Sequence, residues 1–365
     1  MFKSVYISAV NCASPLGVDL ESNWATLTKG ESAIRAVDVG MVKGAYVAKF
    51  VDPISLSEEP SLSFLENLCL RVAAPLVKDK VITERTGFVL STTKGNIDKL
   101  QSNQAKEVEL GRLGDLLVRR LGFVSKPVVV SHACVSGLLA VSVAKRLIQM
   151  GQYDEVLVLA ADQVSEFVLS GFQSFQAMSN GPCRPFDATR DGVTLGEAAA
   201  AAWLTQREAG SAVQILGEGA INDANHISGP SRTGEGLVRS IQSAFKEAGI
   251  TTDTIDFVSA HGTATVYNDE MEAIAFDRMG LSGIPTHSLK GYYGHTLGAS
   301  GLLELVIAIK SLGENVLVPT KGFNTLGTSR YLNIIQKLVP STLNYCLKTA
   351  SGFGGSNAAM IIKKV

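Results

Sequence analysis

Cys134, His261 and His295 are the residues of this 365-residue chain whose types and settings could carry out thioester chemistry. Cys134 lies in SHACVSGLL, between an expected strand and a helix expected to begin near Ser136. A thiol there faces unpaired backbone N–H groups and the positive end of the helix dipole. That placement lowers a cysteine pKa and favours the nucleophilic thiolate. The small neighbours Ala133, Ser136 and Gly137 leave room for a bulky acyl chain. A free cysteine is more often buried and inert, and this segment alone does not decide between the two readings. His132, two residues away, reads as a packing or hydrogen-bonding residue rather than a base.

The two histidines shift that balance. His261 lies in VSAHGTAT, after an apolar strand and ahead of a helix carrying Asp269, Glu270 and Glu272. His295 lies in the Gly-rich SLKGYYGHTLGASGLLE. Both fall at carboxyl ends of strands, where α/β folds place ligand sites. Gly262 and Gly294 beside them leave space for a substrate. One such histidine alone reads as a structural imidazole, but a cysteine with two of them reads as a site. The C-terminal SGFGGSNAAMIIKK adds Gly352, Gly354 and Gly355, a turn whose backbone N–H groups can point at an oxyanion. The same turn leads naturally into a final strand. No lysine and Ser/Thr follow it, as a phosphate loop would need.

Short apolar strands alternating with helices must position these residues, which is the α/β pattern. Strands are expected at Val5–Val10, Thr86–Ser91, Pro127–Ser131, Glu155–Ala160, Ala200–Leu204, Phe257–Ala260 and from Leu347. Helices are expected at Leu20–Lys29, Leu62–Lys78, Leu113–Leu121, Gly137–Gln149, Glu235–Ala248, Asp269–Met279 and Gly301–Leu312. One pattern recurs: SGLLAVSVAKRLIQMGQ from Ser136 is echoed by SGLLELVIAIKSLGEN from Ser300. Both are apolar on nearly every face, the mark of a buried helix. The echo suggests two similar halves, residues 1–206 carrying the cysteine and 207–365 carrying both histidines, which pack these helices together. The polar Gln206–Ser211 stretch marks the boundary.

Composition bounds the rest. Hydrophobic residues make up 46 % and charged residues 18 %, enough for a large core. A net charge of -1 offers no basic excess for nucleic acid. Five scattered cysteines without a CxxC pair or zinc spacing point to free thiols in the cytoplasm and to no metal site. The N-terminal MFKSVYISAVNCASP reads as a strand ending in a turn rather than as a signal segment. No run approaches the roughly 18 apolar residues of a membrane span.

Several ordered stretches carry a resemblance. They are SAVNCASPLGVDLESNWATLTKGESAI near the N-terminus, ACVSG around Cys134, and RPFDATRDGVTLGEAAA from Arg184. NDANHISGP from Asn222, AHGTATVYNDEMEA from Ala260, KGYYGHTLGASGLLE from Lys290 and GFGGSNA from Gly352 complete the set. From residue 3 to the C-terminus the chain resembles the elongating β-ketoacyl-[acyl carrier protein] synthases of the thiolase superfamily. The resemblance implies a five-layered αβαβα fold from two duplicated halves and an acyltransferase with a Cys-His-His site. It implies that Cys134 takes an acyl chain from acyl carrier protein, with the N–H groups of Cys134 and Phe353 as oxyanion hole. His261 and His295 would stabilise the enolate left when malonyl-carrier protein loses CO₂.

The resemblance also implies supporting roles. Lys290 and Glu304 would form an ion pair orienting the His295 loop, and Phe353 would gate the site. Thr263 and Thr265 would bind the phosphopantetheine arm carried by the acyl carrier protein, with no cofactor resident in the enzyme. RPFDATRDG would be a structural loop tied by internal ion pairs, with Asp269 and Glu272 ordering the neighbouring segment. A dimer is implied, with a second copy or a sister synthase subunit. The chain departs from the family by being shorter between about Ile34 and Lys126. It also has Ser259 and Lys348 where some members have an asparagine and a serine that help the glutamate hold a cation. The Lys348 ammonium is expected to fill that space beside Glu304, with no metal bound. Two alternatives differ in chemistry. A chain-length-factor-like partner subunit usually lacks the cysteine, and a thiolase-like acyltransferase usually has a second catalytic cysteine near the last turn.

Overall fold

The computed structural model describes residues 3–51, 59–102, 105–223 and 229–365. Residues 224–228, the middle of the NDANHISGP stretch, lie outside the described residues. Ten strands form one sheet: β1 (Val5–Ala13), β2 (Thr86–Ser91), β3 (Val128–Val130), β4 (Glu155–Asp162), β5 (Ala198–Thr205), β6 (Val213–Asn222), β7 (Phe257–Ser259), β8 (Thr286–His287), β9 (Tyr345–Gly352) and β10 (Ser356–Lys364). Across the sheet they run β8-β7-β9-β10-β6-β1-β5-β4-β2-β3. From either edge inward the order is β3-β2-β4-β5-β1 and β8-β7-β9-β10-β6, the same arrangement displaced by five strands. The two sets join where Val5, Tyr6 and Ile7 pair antiparallel with Ile215, Gln214 and Val213.

The helices are α1 (Leu20–Thr28), α2 (Phe64–Val77), α3 (Leu110–Leu121), α4 (Ser136–Gln149), α5 (Glu166–Ser174), α6 (Glu235–Ala248), α7 (Val266–Arg278), α8 (Lys290–Tyr293) and α9 (Ser300–Glu314). Their ends follow local chemistry. Asp19 and Ser22 form a capping box on α1, Ser63 and Glu66 one on α2, and Gly122 closes α3 in the left-handed region.

Strand alternation then builds the layers. In β4, Val156, Val158 and Ala160 face the central core, while Leu157, Leu159 and Ala161 face α2 and α3. In β10, Ala358, Met360 and Ile362 face the centre, while Ala359 and Ile361 face α6 and α7. The result is five layers, α2/α3, sheet, α4/α9, sheet and α6/α7, a thiolase-like αβαβα fold.

The central layer explains the recurring Ser-Gly-Leu-Leu. A Cβ on Gly137 would lie 2.7 Å from the Leu302 nitrogen, and one on Gly301 would lie 2.6 Å from the Leu138 nitrogen. The backbones of α4 and α9 therefore touch at their first turns.

Four elements escape the sequence pattern. The hairpin Ile34–Val39/Val42–Ala48 mixes buried and exposed residues without strict alternation, with Arg35, Asp38 and Lys43 exposed. α5 and α8 are too short for a clear period. β6 contains Gly217 and Gly219, residues unfavourable in strands. Both are required there, because an added Cβ would meet the Ala244 and Ser240 carbonyls of α6 at 2.1 and 2.2 Å.

Gly301→Val is expected to force α4 and α9 apart and cost roughly 1–3 kcal/mol or more, read as a lower thermal midpoint. Gly313→Ala lies on the exposed last turn of α9, where nothing is within 4 Å of an added Cβ. It should hold stability or raise it by about 0.5–1 kcal/mol.

Candidate active site

Cys134 sits just beyond β3 and one residue before the N-cap of α4. The chain turns there through Ala133, a non-glycine residue at φ +46°. Strain of this kind persists where surrounding structure over-determines it and clusters at functional sites. Here the Ser136 hydroxyl donates to the Ala133 carbonyl at 2.6 Å and accepts from the His132 N–H at 2.7 Å. The β9–β10 turn packs directly on this elbow. A Cβ on Gly352 would lie 3.0 Å from the Cys134 nitrogen, and the Phe353 N–H lies beside the Cys134 sulfur, where it favours the thiolate. The Phe353 ring packs against Phe172 and Phe175 of the α5 segment, with centroids 5.6 and 5.7 Å away.

His261 follows β7, and its backbone is held by a buried carboxylate. Glu272 accepts from the His261 N–H at 2.8 Å, the Gly262 N–H at 2.6 Å, the Asn268 amide at 3.0 Å and the Thr349 hydroxyl at 3.1 Å. His295 is fixed by its own main chain, donating to the Thr194 carbonyl at 2.6 Å and accepting from the Gly196 N–H at 3.0 Å. Both its ring nitrogens are buried without a protein partner among the described residues. The two rings meet edge-on, with centroids 5.1 Å apart. The Cys134 sulfur and one nitrogen from each imidazole all lie within 4.8 Å of one another.

Behind the imidazoles lies a buried ion cluster. Lys290 Nζ is 3.2 Å from His261 Nδ1, 2.5 Å from the His261 carbonyl oxygen and 2.7 Å from Glu304 Oε1. Lys348 Nζ is 2.6 Å from Glu304 Oε2. Lys290 thus pairs with Glu304 and also touches His261 directly, from the α8 turn that leads to His295.

Electrostatics follow from this burial. Burial, then the Lys290 charge, pushes His295 down to about 3. Burial, Lys290, the other imidazole and Lys348 drive His261 well below its ordinary value. Both rings are therefore neutral. Burial would raise Glu304, but the two ammonium groups outweigh it and hold the carboxyl at about 2. Burial pushes the Cys134 thiol up to about 11, against Lys290 and the Phe353 N–H. The helix-start position thus does not depress this thiol, because desolvation exceeds the opposing attractions. A cysteine and two histidines are also a donor set for a soft metal ion. The adjacent ammonium groups, however, set up a positive field that opposes a cation there.

The remaining sequence candidates fall around this centre. Thr263 and Thr265 lie at the start of α7, with hydroxyls 2.8 Å apart, and Thr265 caps that helix. His132 turns away from Cys134 to bond the Ser356 hydroxyl. The Arg184–Gly192 loop is ordered less by ion pairs than by hydrogen bonds. Asp187 accepts from Thr189, Asn324 and Thr325, and these bonds overcome burial to hold it at about 2. Arg190 approaches Asp269 only to 3.8 Å. Asp269 accepts from the Phe186 N–H at 2.7 Å.

The comparisons with known proteins agree with this geometry. A family model described as "Beta-ketoacyl synthase, N-terminal domain" matches residues 2–209, and one described as "Beta-ketoacyl synthase, C-terminal domain" matches residues 213–324. The chain belongs to the beta-ketoacyl synthase family. It is 27 % identical to a putative mitochondrial 3-oxoacyl-[acyl-carrier-protein] synthase of Schizosaccharomyces pombe, with 99 % of each chain covered. It is 26 % identical to a putative polyketide beta-ketoacyl synthase of Streptomyces cyaneus, covering 99 % of this chain and 98 % of that protein. Among solved structures it resembles a ketosynthase in complex with its chain length factor from Xenorhabdus doucetiae. That match has a TM-score of 0.88 and 26 % identity, with 100 % of this chain and 98 % of the other covered.

Within this family site, sequence reasoning missed Asp162. It accepts from the Thr92 and Thr93 hydroxyls at 2.8 and 2.6 Å and from the Gly298 N–H at 2.7 Å. A carboxylate thus ties the His295 loop to the half that carries Cys134. The signal was an acid ending β4, whose interior from Val156 to Ala161 is apolar throughout. The aromatic partners Phe172 and Phe175 were missed along with α5.

Because burial and neighbouring cations lower both pKa values, His261 and His295 should show neutral imidazole nitrogen shifts throughout pH 5.5–8.5. Nitrogen-15 NMR of His261→Ala and His295→Ala beside the parent protein assigns the signals. A ring titrating near 6.5 would contradict the geometry.

Proposed function

We propose that this protein condenses an acyl group held on Cys134 with malonyl-acyl carrier protein, releasing CO₂ and a β-ketoacyl-carrier protein. The observation that carries this reading is the convergence of the Cys134 sulfur with both imidazoles within 4.8 Å, beside the Phe353 N–H. In the first half-reaction the Cys134 sulfur attacks the acyl thioester carbonyl. Its proton passes to the departing phosphopantetheine thiolate. With a thiol at about 11, proton loss accompanies attack, and the N–H groups of Cys134 and Phe353 receive the oxyanion.

In the second half-reaction a malonyl thioester loses CO₂, and the electron pair of the broken bond becomes an enolate. Lys290 Nζ beside His261 Nδ1 supports the tautomer with its proton on Nε2. Neutral N–H donors from His261 and His295 stabilise the enolate oxygen where charge develops. The enolate carbon attacks the acyl-Cys134 carbonyl, and collapse of the adduct expels the Cys134 thiolate, which takes a proton from water. Thr263 and Thr265 hold the phosphopantetheine arm of the carrier protein, and Phe353 gates the acyl chain.

The partner is acyl carrier protein. The protein works as a dimer with a second copy or, as the Xenorhabdus ketosynthase structure suggests by analogy, with a sister subunit. Residues 1–206 and 207–365 form its two halves, a division supported by the repeated strand order. Five buried free cysteines support a cytoplasmic location. No helix among the described residues is long and apolar enough to cross a membrane.

Incubation with acyl- and malonyl-carrier proteins, followed by mass spectrometry, tests the reading. Acylation at Cys134 is expected in the parent and absent in Cys134→Ala. His295→Ala should still acylate but form product about 10²–10³ times more slowly. An enzyme that accepts no acyl chain of any length would overturn the proposal.

A further inference from the structure

Lys348 is fully buried on β9, and its ammonium faces an unusual set of neighbours. Four oxygens lie within reach: Glu304 Oε2 at 2.6 Å, the Thr349 carbonyl at 2.7 Å, the Ser259 carbonyl at 3.1 Å and the Ala260 carbonyl at 3.3 Å. Three main-chain carbonyls and one carboxylate are the hard oxygen donors a small cation takes. An ammonium has only three N–H bonds to offer them, so the shell is larger than hydrogen bonding requires.

A second observation concerns the adjacent strands. Ser259 is in register with Lys348 on one side and with His287 on the other. The Ser259 hydroxyl and His287 Nε2 are buried without a partner among the described residues. This corner of the fold is therefore rich in polar atoms, and the Lys348 ammonium is the cation that its carbonyl oxygens share.

A metal ion does not fit beside that ammonium. Glu304 Oε1 already accepts from Lys290 Nζ at 2.7 Å and from the Ser300 hydroxyl at 3.0 Å, while Oε2 is taken by Lys348. A third positive centre would add repulsion, and the next carboxylate, Glu272, is already engaged by the His261 and Gly262 N–H groups. We infer that the Lys348 ammonium is a covalently tethered replacement for a structural cation, so that the site keeps its geometry without binding a metal ion beside Glu304.

Lys348 is a positioning residue. It pins the last carbonyl of β7 and the Ala260 carbonyl immediately before His261. Through Glu304 it also fixes Lys290, which lies against His261 Nδ1. The kinetic consequence rests on the condensation reading above, but the ion-binding consequence does not.

The experiment compares the parent with Lys348→Ser, which vacates the oxygen shell, and Lys348→Met, which keeps the volume without the charge. Crystals of each are soaked in rubidium or thallium(I), and turnover is measured in tetramethylammonium, sodium and potassium buffers. The parent should show no anomalous peak near Glu304 and equal turnover in all three salts. Lys348→Ser should bind the ion beside Glu304. In tetramethylammonium its kcat should fall roughly tenfold or more, with the KM for malonyl-carrier protein little changed, and sodium or potassium should restore part of kcat. Lys348→Met should lose kcat without rescue.

An anomalous peak at coordination distance from Glu304 in the parent overturns the inference. So does full activity of a folded Lys348→Met in every salt. The parent crystal decides the question even if neither variant folds. Mass spectrometry of Cys134 acylation, run alongside, shows separately whether the condensation reading fails.

Discussion

Glu304 shares its two carboxylate oxygens between two buried ammonium groups, and the geometry of the site depends on that sharing. Taking three charges out of water costs several kcal/mol per ion, and attraction repays this only when geometry and hydrogen bonding are complete. Here Lys290 and Lys348 each find the carboxylate within 2.7 Å, and the Ser300 hydroxyl adds a further donor. Removing one partner from such a group costs about 3–5 kcal/mol, because an uncompensated charge stays behind. The cluster also sets the charge state of the chemistry in front of it. An excess of positive charge behind two desolvated imidazoles keeps both neutral, able to donate a hydrogen bond without first giving up a full positive charge.

The duplicated architecture explains why these groups meet. Each half ends its parallel strands at the same side of its sheet, and α4 and α9 start there. Cys134 comes from one half and the two imidazoles from the other, so the three meet only when the halves are docked. Asp162 and Ser91 secure this seam, the first accepting the Gly298 N–H and the second donating to the Gly298 carbonyl. The strained turn at Ala133 is affordable because the β9–β10 turn presses on it from the opposite half.

Much of this was legible in the sequence where local chemistry and tertiary need coincide. Cys134, His261 and His295 stand in small-residue loops after apolar strands, and the paired Ser-Gly-Leu-Leu helices announced their own burial. The resemblance supplied roles that spacing alone did not contain. What stayed hidden was long-range. β6 carries glycines that lower strand propensity and are explained only by the α6 backbone lying against them. The thiol of Cys134 was read from its helix-start position, whereas its pKa is decided by water excluded from all sides. Glu272 and Asp162 look like ordinary acids in the chain, and only the fold reveals that Asp162 gathers backbone N–H groups from segments far apart in sequence and that Glu272 joins the His261–Gly262 backbone to the Thr349 hydroxyl.

The contact between Gly137 and Gly301 carries one further consequence. Cys134 precedes one of these helices by two residues and His295 precedes the other by five. Where the helices cross, peptide backbone rests on peptide backbone. The distance between the Cys134 sulfur and the His295 ring is therefore gauged by main-chain atoms, which every substitution elsewhere leaves the same size. Such a gauge holds the spacing of Cys134 and His295 fixed while the apolar side chains around the two helices are varied.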